Sequence, residues 1–336
     1  MPTPAAPGLP PLRYLSAGDV AAAMPGLDDR LALAELTLTA LARPGSVELP
    51  SKIAVHPRPE GSFAHAMPAH LRGDDAASDL LGMKWIAGFG GNSALGLPAI
   101  HGLVMLNDPA TGVPTTVLDA GPITAERTAA VSGVAIRRFA PPVEGRPPRA
   151  ALIGAGVQGR SHLPVLGHLL PGVELAVFDR HPERADDLAA CARATRGVAS
   201  ARAAPTARDA VADADVVVTA AAFGPVRQVM TNDWLSADAL VVPVDYATYC
   251  AAEVARDAAL FLVDHRDQFL ANRDAGLFEG YPDPGAMLGE AILDGTPRPS
   301  GRVVVSHLGV GLADVVFGDA IARAAAERGL GTVLPR

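Results

Sequence analysis

Apolar and polar residues along the chain fall into three successive rhythms. Residues 12–15 read as a strand, and Ser16 is placed to cap a helix that carries an acid in its first turn, Asp19. After Pro25 and Gly26 a helical repeat runs over about residues 28–41, with Leu31, Glu35 and Leu38 marking its turns, until Arg43, Pro44 and Gly45 stop it. From residue 47 to 118 the rhythm shortens to apolar segments punctuated by Pro and Gly: VELPSKIAVHP, SFAHAMPAHL, GMKWIAGFG, AIHGLVMLND and PTTVLDA. These predict an antiparallel sheet joined by hairpins, with NDPATG at residues 107–112 as a strong turn signal between two strands.

The third rhythm alternates strands with helices. A helix is expected over residues 124–140, followed by a proline-rich connector at 144–149. Apolar runs come next at 150–153, 173–178, 216–220, 240–244 and 260–263, interleaved with a helix at 183–194 and a short turn or helix at 209–214. Residues 303–305 are a further strand candidate, 264–294 carry no clear pattern, and 312–328 read as an alanine-rich helix. Continuous apolar strands separated by helical stretches imply a parallel sheet covered on both faces. The fold expected is α/β: a Rossmann-type doubly wound parallel sheet plus a second α+β domain with a mostly antiparallel sheet. A length of 336 residues agrees with two domains.

One turn carries a chemical signature. Directly after 150–153 come Gly154, Gly156 and Gly159 in the spacing G-x-G-x-x-G, with Val157 and Gln158 between the last two. In a dinucleotide-binding unit the first glycine permits the tight turn, the second lets the backbone approach a pyrophosphate, and the third lets helix and strand pack closely. The phosphates then lie on the N–H groups at the helix start. Among 34 glycines the spacing alone is weak, but the strand before it, the helix after it and Asp179 at the end of 173–178 all fit. A carboxylate at that place accepts hydrogen bonds from ribose hydroxyls, which favours NAD, while Arg180 beside it suits a 2′-phosphate and keeps NADP open. Ala220 ends its strand where a nucleotide lies in such a sheet, and Asp245 follows 240–244 at the end where an open parallel sheet places ligand groups.

Composition removes several classes of partner. A formal charge of −8 with no basic stripe argues against nucleic acid and anionic membrane. No run of about 18 apolar residues is free of charge and proline, so no spanning helix is expected. The start MPTPAAPGLPPLRY reads as a loose tail rather than a signal peptide. Two cysteines, Cys191 and Cys250, offer no disulfide framework and suit a reducing cytoplasm. With 4% aromatic residues the core is expected to be filled by Ala, Val and Leu. His56, His65, His70 and His101 fall in the sheet region without metal-ligand spacing, so no metal site is expected. Of the 28 basic residues all but Lys52 and Lys84 are arginine. An ammonium can lose its proton when buried and a guanidinium effectively cannot, so these two are candidates for positions where arginine will not serve.

GMKW around Lys84, NSALGLP at 92–98, LNDPATGVP, ITAERTAA at 123–130, GAGVQG and SHLGVGLADV together resemble the ornithine cyclodeaminase and mu-crystallin family, over about residues 12–332. The resemblance implies that Lys52, Lys84 and Arg127 surround an amino-acid carboxylate, Arg127 binding both oxygens with its planar fork. It gives Lys84 a second role, proton exchange at the substrate's amino nitrogen, and places Asp245 at a distal amine. Thr128, Ser306 and Gly309 would lie at the cofactor. Lys52 stands where the family usually has arginine, which keeps the charge and loses the fork. PVDYATY departs from the family's commoner forms, so Asp245 is either a site residue or a structural one. Asp314 either caps the last helix or approaches the cofactor, and His65 either lines the pocket or is an ordinary half-buried histidine.

The activity implied is NAD-dependent conversion of a small basic L-amino acid, ornithine to proline plus ammonia, with the hydride returned to a cyclic imine. The alternatives are an NAD(P)H-dependent ketimine reductase or amino-acid dehydrogenase, and a non-catalytic accessory or binding subunit. Residues 1–125 with 312–336 would bind substrate and form a homodimer through their sheet, and residues 126–311 would bind the dinucleotide.

Overall fold

The computed structural model describes residues 8–222 and 226–336, and residues 1–7 of the expected loose tail lie outside them. The chain begins with β1 (Leu12–Leu15), α1 (Ala17–Ala23) and α2 (Leu27–Ala42), then β2 (Val47–Glu48), β3 (Ile53–Val55), β4 (Phe63–Leu71), β5 (Leu80–Gly88), β6 (Ile100–Asn107) and β7 (Pro114–Asp119). After α3 (Ala120–Phe139) come β8 (Arg149–Ile153), α4 (Val157–Leu169), β9 (Val173–Phe178), α5 (Pro182–Arg193), β10 (Val198–Ala203), α6 (Ala207–Val211) and β11 (Val216–Thr219). Then follow β12 (Leu240–Pro243), α7 (Ala252–Arg256), β13 (Leu260–Val263), α8 (Arg266–Asp274), β14 (Ala286–Met287), α9 (Leu288–Leu293), β15 (Val303–Ser306), α10 (Gly311–Glu327) and β16 (Thr332–Leu334). They form two compact units: Met1–Gly26, Arg43–Thr124 and Val310–Arg336, and Leu27–Ala42 with Ala125–Gly309.

The first unit is built on one sheet in the order β16-β1-β7-β6-β5-β4-β2, with β3 also on β4. Its pairings are antiparallel except β1 with β7. The capping signal at Ser16 is realised reciprocally: the Asp19 N–H donates to Ser16 Oγ at 3.3 Å and the Ser16 N–H to Asp19 Oδ2 at 3.0 Å. The 107–112 turn closes on Asp108, whose Oδ1 accepts from the Thr111 N–H at 2.8 Å. Along β5 the alternation puts Gly82, Lys84 and Ile86 on the buried face and Trp85 on the exposed one. The helix α10 covers the buried face, and small residues let it approach: a Cβ on Gly82 would lie 3.1 Å from Val315 Cγ2, and one on Gly318 would lie 3.2 Å from Val104 Cγ1.

The second unit is a doubly wound sheet in the order β10-β9-β8-β11-β12-β15-β13-β14, and its strand pairings are all parallel. The strand order reverses between β8 and β11, where such sheets bind ligands beyond the strands' carboxyl ends. The weak strand candidate at 303–305 is an interior strand, β15, buried throughout.

Two expectations are corrected by the packing, and a stretch without clear pattern gains its elements. The helix expected to open at Thr124 starts at Ala120 because Asp119 Oδ1 accepts the Gly121 N–H at 2.8 Å, one turn earlier. Residues 27–42, expected in the first domain, pack within the second unit: Gly289 of α9 has no room for a Cβ against the Leu38 backbone, and Gly133 of α3 has none against Leu31. The 264–294 stretch forms α8, β14 and α9, held by a cluster of rings that includes Phe261, Phe269, Phe278 and Tyr281, with Phe269 and Phe278 at 4.7 Å. These four rings fill one corner of the second unit, while Ala, Val and Leu fill most of the core elsewhere.

Candidate active site

In the second unit the three glycines differ in what surrounds them. Gly154 has φ +104°, and a Cβ there would lie 2.6 Å from the Ala220 carbonyl carbon, so the turn requires glycine. A Cβ on Gly159 would overlap the Gly154 carbonyl, which fixes the close contact of α4 with the end of β8. Around Gly156, the N-cap of α4, there is open space, and it offers no side chain to the first-turn N–H groups. That open, donor-lined end of α4 fits a pyrophosphate. Val157 is 69% exposed on its rim. Ala220, placed by its N–H donating to the Ile153 carbonyl at 2.7 Å, forms the facing wall.

Asp179 braces this turn. Its Oδ2 accepts the Ala155 N–H at 2.8 Å and its Oδ1 the His181 N–H at 2.9 Å, leaving further lone pairs for ribose hydroxyls. Arg180 is exposed and donates from Nε to His181 at 3.2 Å. At the carboxyl end of β15 the hydroxyl of Ser306, wholly buried, has no hydrogen-bond partner among the described residues. A buried donor left in this way suits a polar group of a bound cofactor.

Arg127 and Thr128 are buried on α3. The Arg127 guanidinium lies over Gly309, where φ is +73° and a Cβ would sit 3.0 Å from Cζ. Gly309 is held in turn by its N–H to Asp264 Oδ2 at 2.8 Å and by Gln268 Nε2 donating to its carbonyl at 3.1 Å.

Asp245 follows β12 and is 2% exposed. Thr219 Oγ1 donates to its Oδ1 at 2.7 Å and the Ala221 N–H to its Oδ2 at 3.2 Å. Burial pushes the carboxyl up to about 7 against these hydrogen bonds, which pull it down. The next residue, Tyr246, has φ +59°, a left-handed conformation unusual for an aromatic residue.

In the first unit Lys84, 1% exposed, forms an ion pair with Asp314 of α10, Nζ to Oδ2 at 2.6 Å. Asp314 lies in the first turn of α10, where its carboxylate meets the Lys84 ammonium. Lys84 and Asp314 are 230 positions apart, and only the docking of α10 on β5 joins them. Lys52 is half-buried nearby: burial first, then the positive charges of Lys52, His56 and Lys84, lower His65 to about 4. Lys52 and Lys84 thus both place positive charge about His65 in this unit. Sequence reasoning also passed over Thr219, Asp264 and Gln268, whose roles come from contacts between separate strands and loops. Among the described residues no group of three or more His, Cys, Asp or Glu is arranged for a metal ion, and no helix is long and apolar enough to cross a membrane.

A model of the ornithine cyclodeaminase/mu-crystallin family matches residues 26–268. The chain is 34% identical to the nodulation efficiency protein NfeD of Rhizobium meliloti, over 96% of this chain and 98% of that protein. It is 34% identical to Delta(1)-pyrroline-2-carboxylate reductase 2 of Burkholderia ambifaria, over 73% and 74% of the two chains. Its fold superposes with a TM-score of 0.82 on the Thermococcus litoralis Delta(1)-pyrroline-2-carboxylate reductase solved with NADH and L-proline, at 23% identity over 95% and 99%.

Proposed function

The chain belongs to the ornithine cyclodeaminase/mu-crystallin family, and from that premise we propose that it reduces a small cyclic ketimine carboxylate to the corresponding amino acid with NAD(H). The reading rests on Lys84, whose ammonium is fully buried and balanced by Asp314. Reduction of an imine needs a hydride at carbon and a proton at nitrogen, and a dry ammonium can deliver the second. NADH supplies the hydride. Arg127 and Lys52 are assigned the substrate carboxylate, Gly154 to Gly159 the pyrophosphate, Asp179 the adenine ribose, and Thr128, Ala220 and Ser306 the remainder of the cofactor. Arg180 leaves NADP as the alternative cofactor. The first unit is assigned substrate binding and dimerisation: Trp85 and Leu103, cross-strand neighbours each 44% exposed, make an apolar face suited to a second copy.

Cyclodeamination of a basic amino acid such as ornithine is the second reading, favoured by Asp245. A carboxyl near pH 7 can take a proton from a distal ammonium so that the amine can attack. It ranks second because both oxygens of Asp245 already accept hydrogen bonds and the group is almost wholly enclosed. Reduction of a cyclic ketimine needs no such base, and a reductase is among the relatives at 34% identity.

The test uses purified protein with Delta(1)-pyrroline-2-carboxylate and its six-membered homologue, each with NADH or NADPH, beside L-ornithine with NAD. Oxidation of the reduced cofactor by a cyclic ketimine supports the reductase. Ammonia and proline from ornithine without net NADH overturns it in favour of cyclodeamination. Silence in every arm leaves the accessory or binding-subunit reading.

A further inference from the structure

Three buried side chains of the second unit form a continuous chain that none of the assigned roles uses. His162 Nδ1 lies 2.6 Å from the Gln158 carbonyl oxygen, His162 Nε2 lies 2.8 Å from Ser132 Oγ, and Ser132 Oγ lies 2.8 Å from His307 Nε2. His162 and Ser132 are fully buried and His307 is 2% exposed. The hydrogens in this chain have one arrangement. A carbonyl only accepts, so His162 Nδ1 carries the hydrogen. Burial lowers His162 to about 4 and His307 to about 3, so both rings are neutral and His162 Nε2 is an acceptor. Ser132 spends its single hydrogen on His162, and His307 Nε2–H must therefore donate to Ser132.

The chain joins three places. Gln158 is in the first turn of α4, on the glycine loop; Ser132 is on α3, five residues after Arg127; His307 is two residues before Gly309, on which the Arg127 guanidinium rests. The charge of Arg127 is felt at His307.

We infer that Ser132, His162 and His307 are positioning residues that transmit occupancy of the glycine loop to residues 306–309 and so set Arg127 for the substrate. The inference rests on the proposed roles of the glycine loop and Arg127. Phosphates drawing on the first-turn N–H groups of α4 polarise and shift the Gln158 peptide, and the ordered hydrogens pass that shift to His307.

The experiment is hydrogen–deuterium exchange with and without ADP-ribose, which carries both phosphates but no nicotinamide and so cannot act on 306–309 by direct contact of that ring. In the wild type, exchange is expected to slow severalfold at 154–159 and also at 306–309. In Ser132→Ala and His307→Leu the slowing at 154–159 remains and that at 306–309 is lost. His307→Gln, which keeps an N–H donor, restores it, an effect that loss of packing alone would not produce. Slowing at 154–159 without slowing at 306–309 in the wild type, or an unchanged response in Ser132→Ala and His307→Leu, overturns the inference. Absence of slowing at 154–159 overturns the cofactor assignment, and the inference with it.

Discussion

Lys84 Nζ lies 2.6 Å from Asp314 Oδ2, and neither side chain meets solvent. Two ions taken out of water are tolerated only while each balances the other, so removing one exposes the full desolvation cost of its partner. Asp314→Ala is expected to destabilise the first unit by about 3–5 kcal/mol. Replacing both, Lys84→Met with Asp314→Leu, should recover most of that stability and none of the turnover. Denaturant midpoints and ketimine-dependent NADH oxidation check the pair. A double variant as unstable as the single would show that the two charges do not depend on each other.

Asp245 gives the protein a pH dependence with a definite sign. Its carboxyl sits at about 7 in the folded protein against the ordinary 3.8 of an aspartate. Between those values the folded state holds a proton that the unfolded state has released, so stability falls as pH rises from about 4 to 7 and levels off above. Asp245→Asn removes this contribution: the variant should gain on the wild type as pH rises through that window. Unfolding midpoints at pH 5 and pH 8 measure it, and parallel curves for the two proteins would refute the assignment.

The contrast between Gly154 and Gly156 separates folding from binding. Gly154→Ala forces a side chain into a left-handed turn against the Ala220 carbonyl and should cost at least about 1–3 kcal/mol. Gly156→Val meets no protein atom near its Cβ and should cost no more than about 1 kcal/mol, the loss of a favourable N-cap residue. Calorimetric titration with NADH should nevertheless show at least a tenfold loss of affinity in Gly156→Val. Undiminished binding there would place the pyrophosphate elsewhere.

Arg127→Lys keeps the charge and removes the planar fork. Loss of one charge-assisted hydrogen bond is worth about 1.5–3 kcal/mol, so KM for the ketimine should rise roughly ten- to a hundredfold with a smaller change in kcat. Steady-state kinetics decide it, and an unchanged KM would remove Arg127 from the carboxylate site.

What the sequence made legible was local. The glycine turn, the capping box at Ser16 and Asp19, the 107–112 turn and the apolar strands each depend on residues a few positions apart, so their spacing reports them. Lys84 could be singled out by the rarity of lysine, but its partner could not, because Asp314 is brought to it by a helix from the far end of the chain. The membership of α2 was hidden for the same reason: an amphipathic helix shows that it has a buried face, not which surface buries it. Residues 264–294 lacked periodicity because short helices and a two-residue strand are too brief to display one, and their order comes from rings that meet only in the fold. His162, Ser132 and His307 looked like unrelated polar residues until three elements brought them together.

The interior place of β15 has a consequence for how the protein is made. Residues 303–306 fill the gap between β12 and β13, so the parallel sheet cannot close until they have been synthesised. Until then the two flanking strands present open edges, the kind of surface that pairs with neighbouring chains. The first unit waits on the same stretch of synthesis, because Asp314 and the rest of α10 arrive still later to cover the ammonium of Lys84. Nascent chains of this protein are therefore expected to depend on chaperone shielding until residues 303–327 have emerged, a stretch that completes both units almost together.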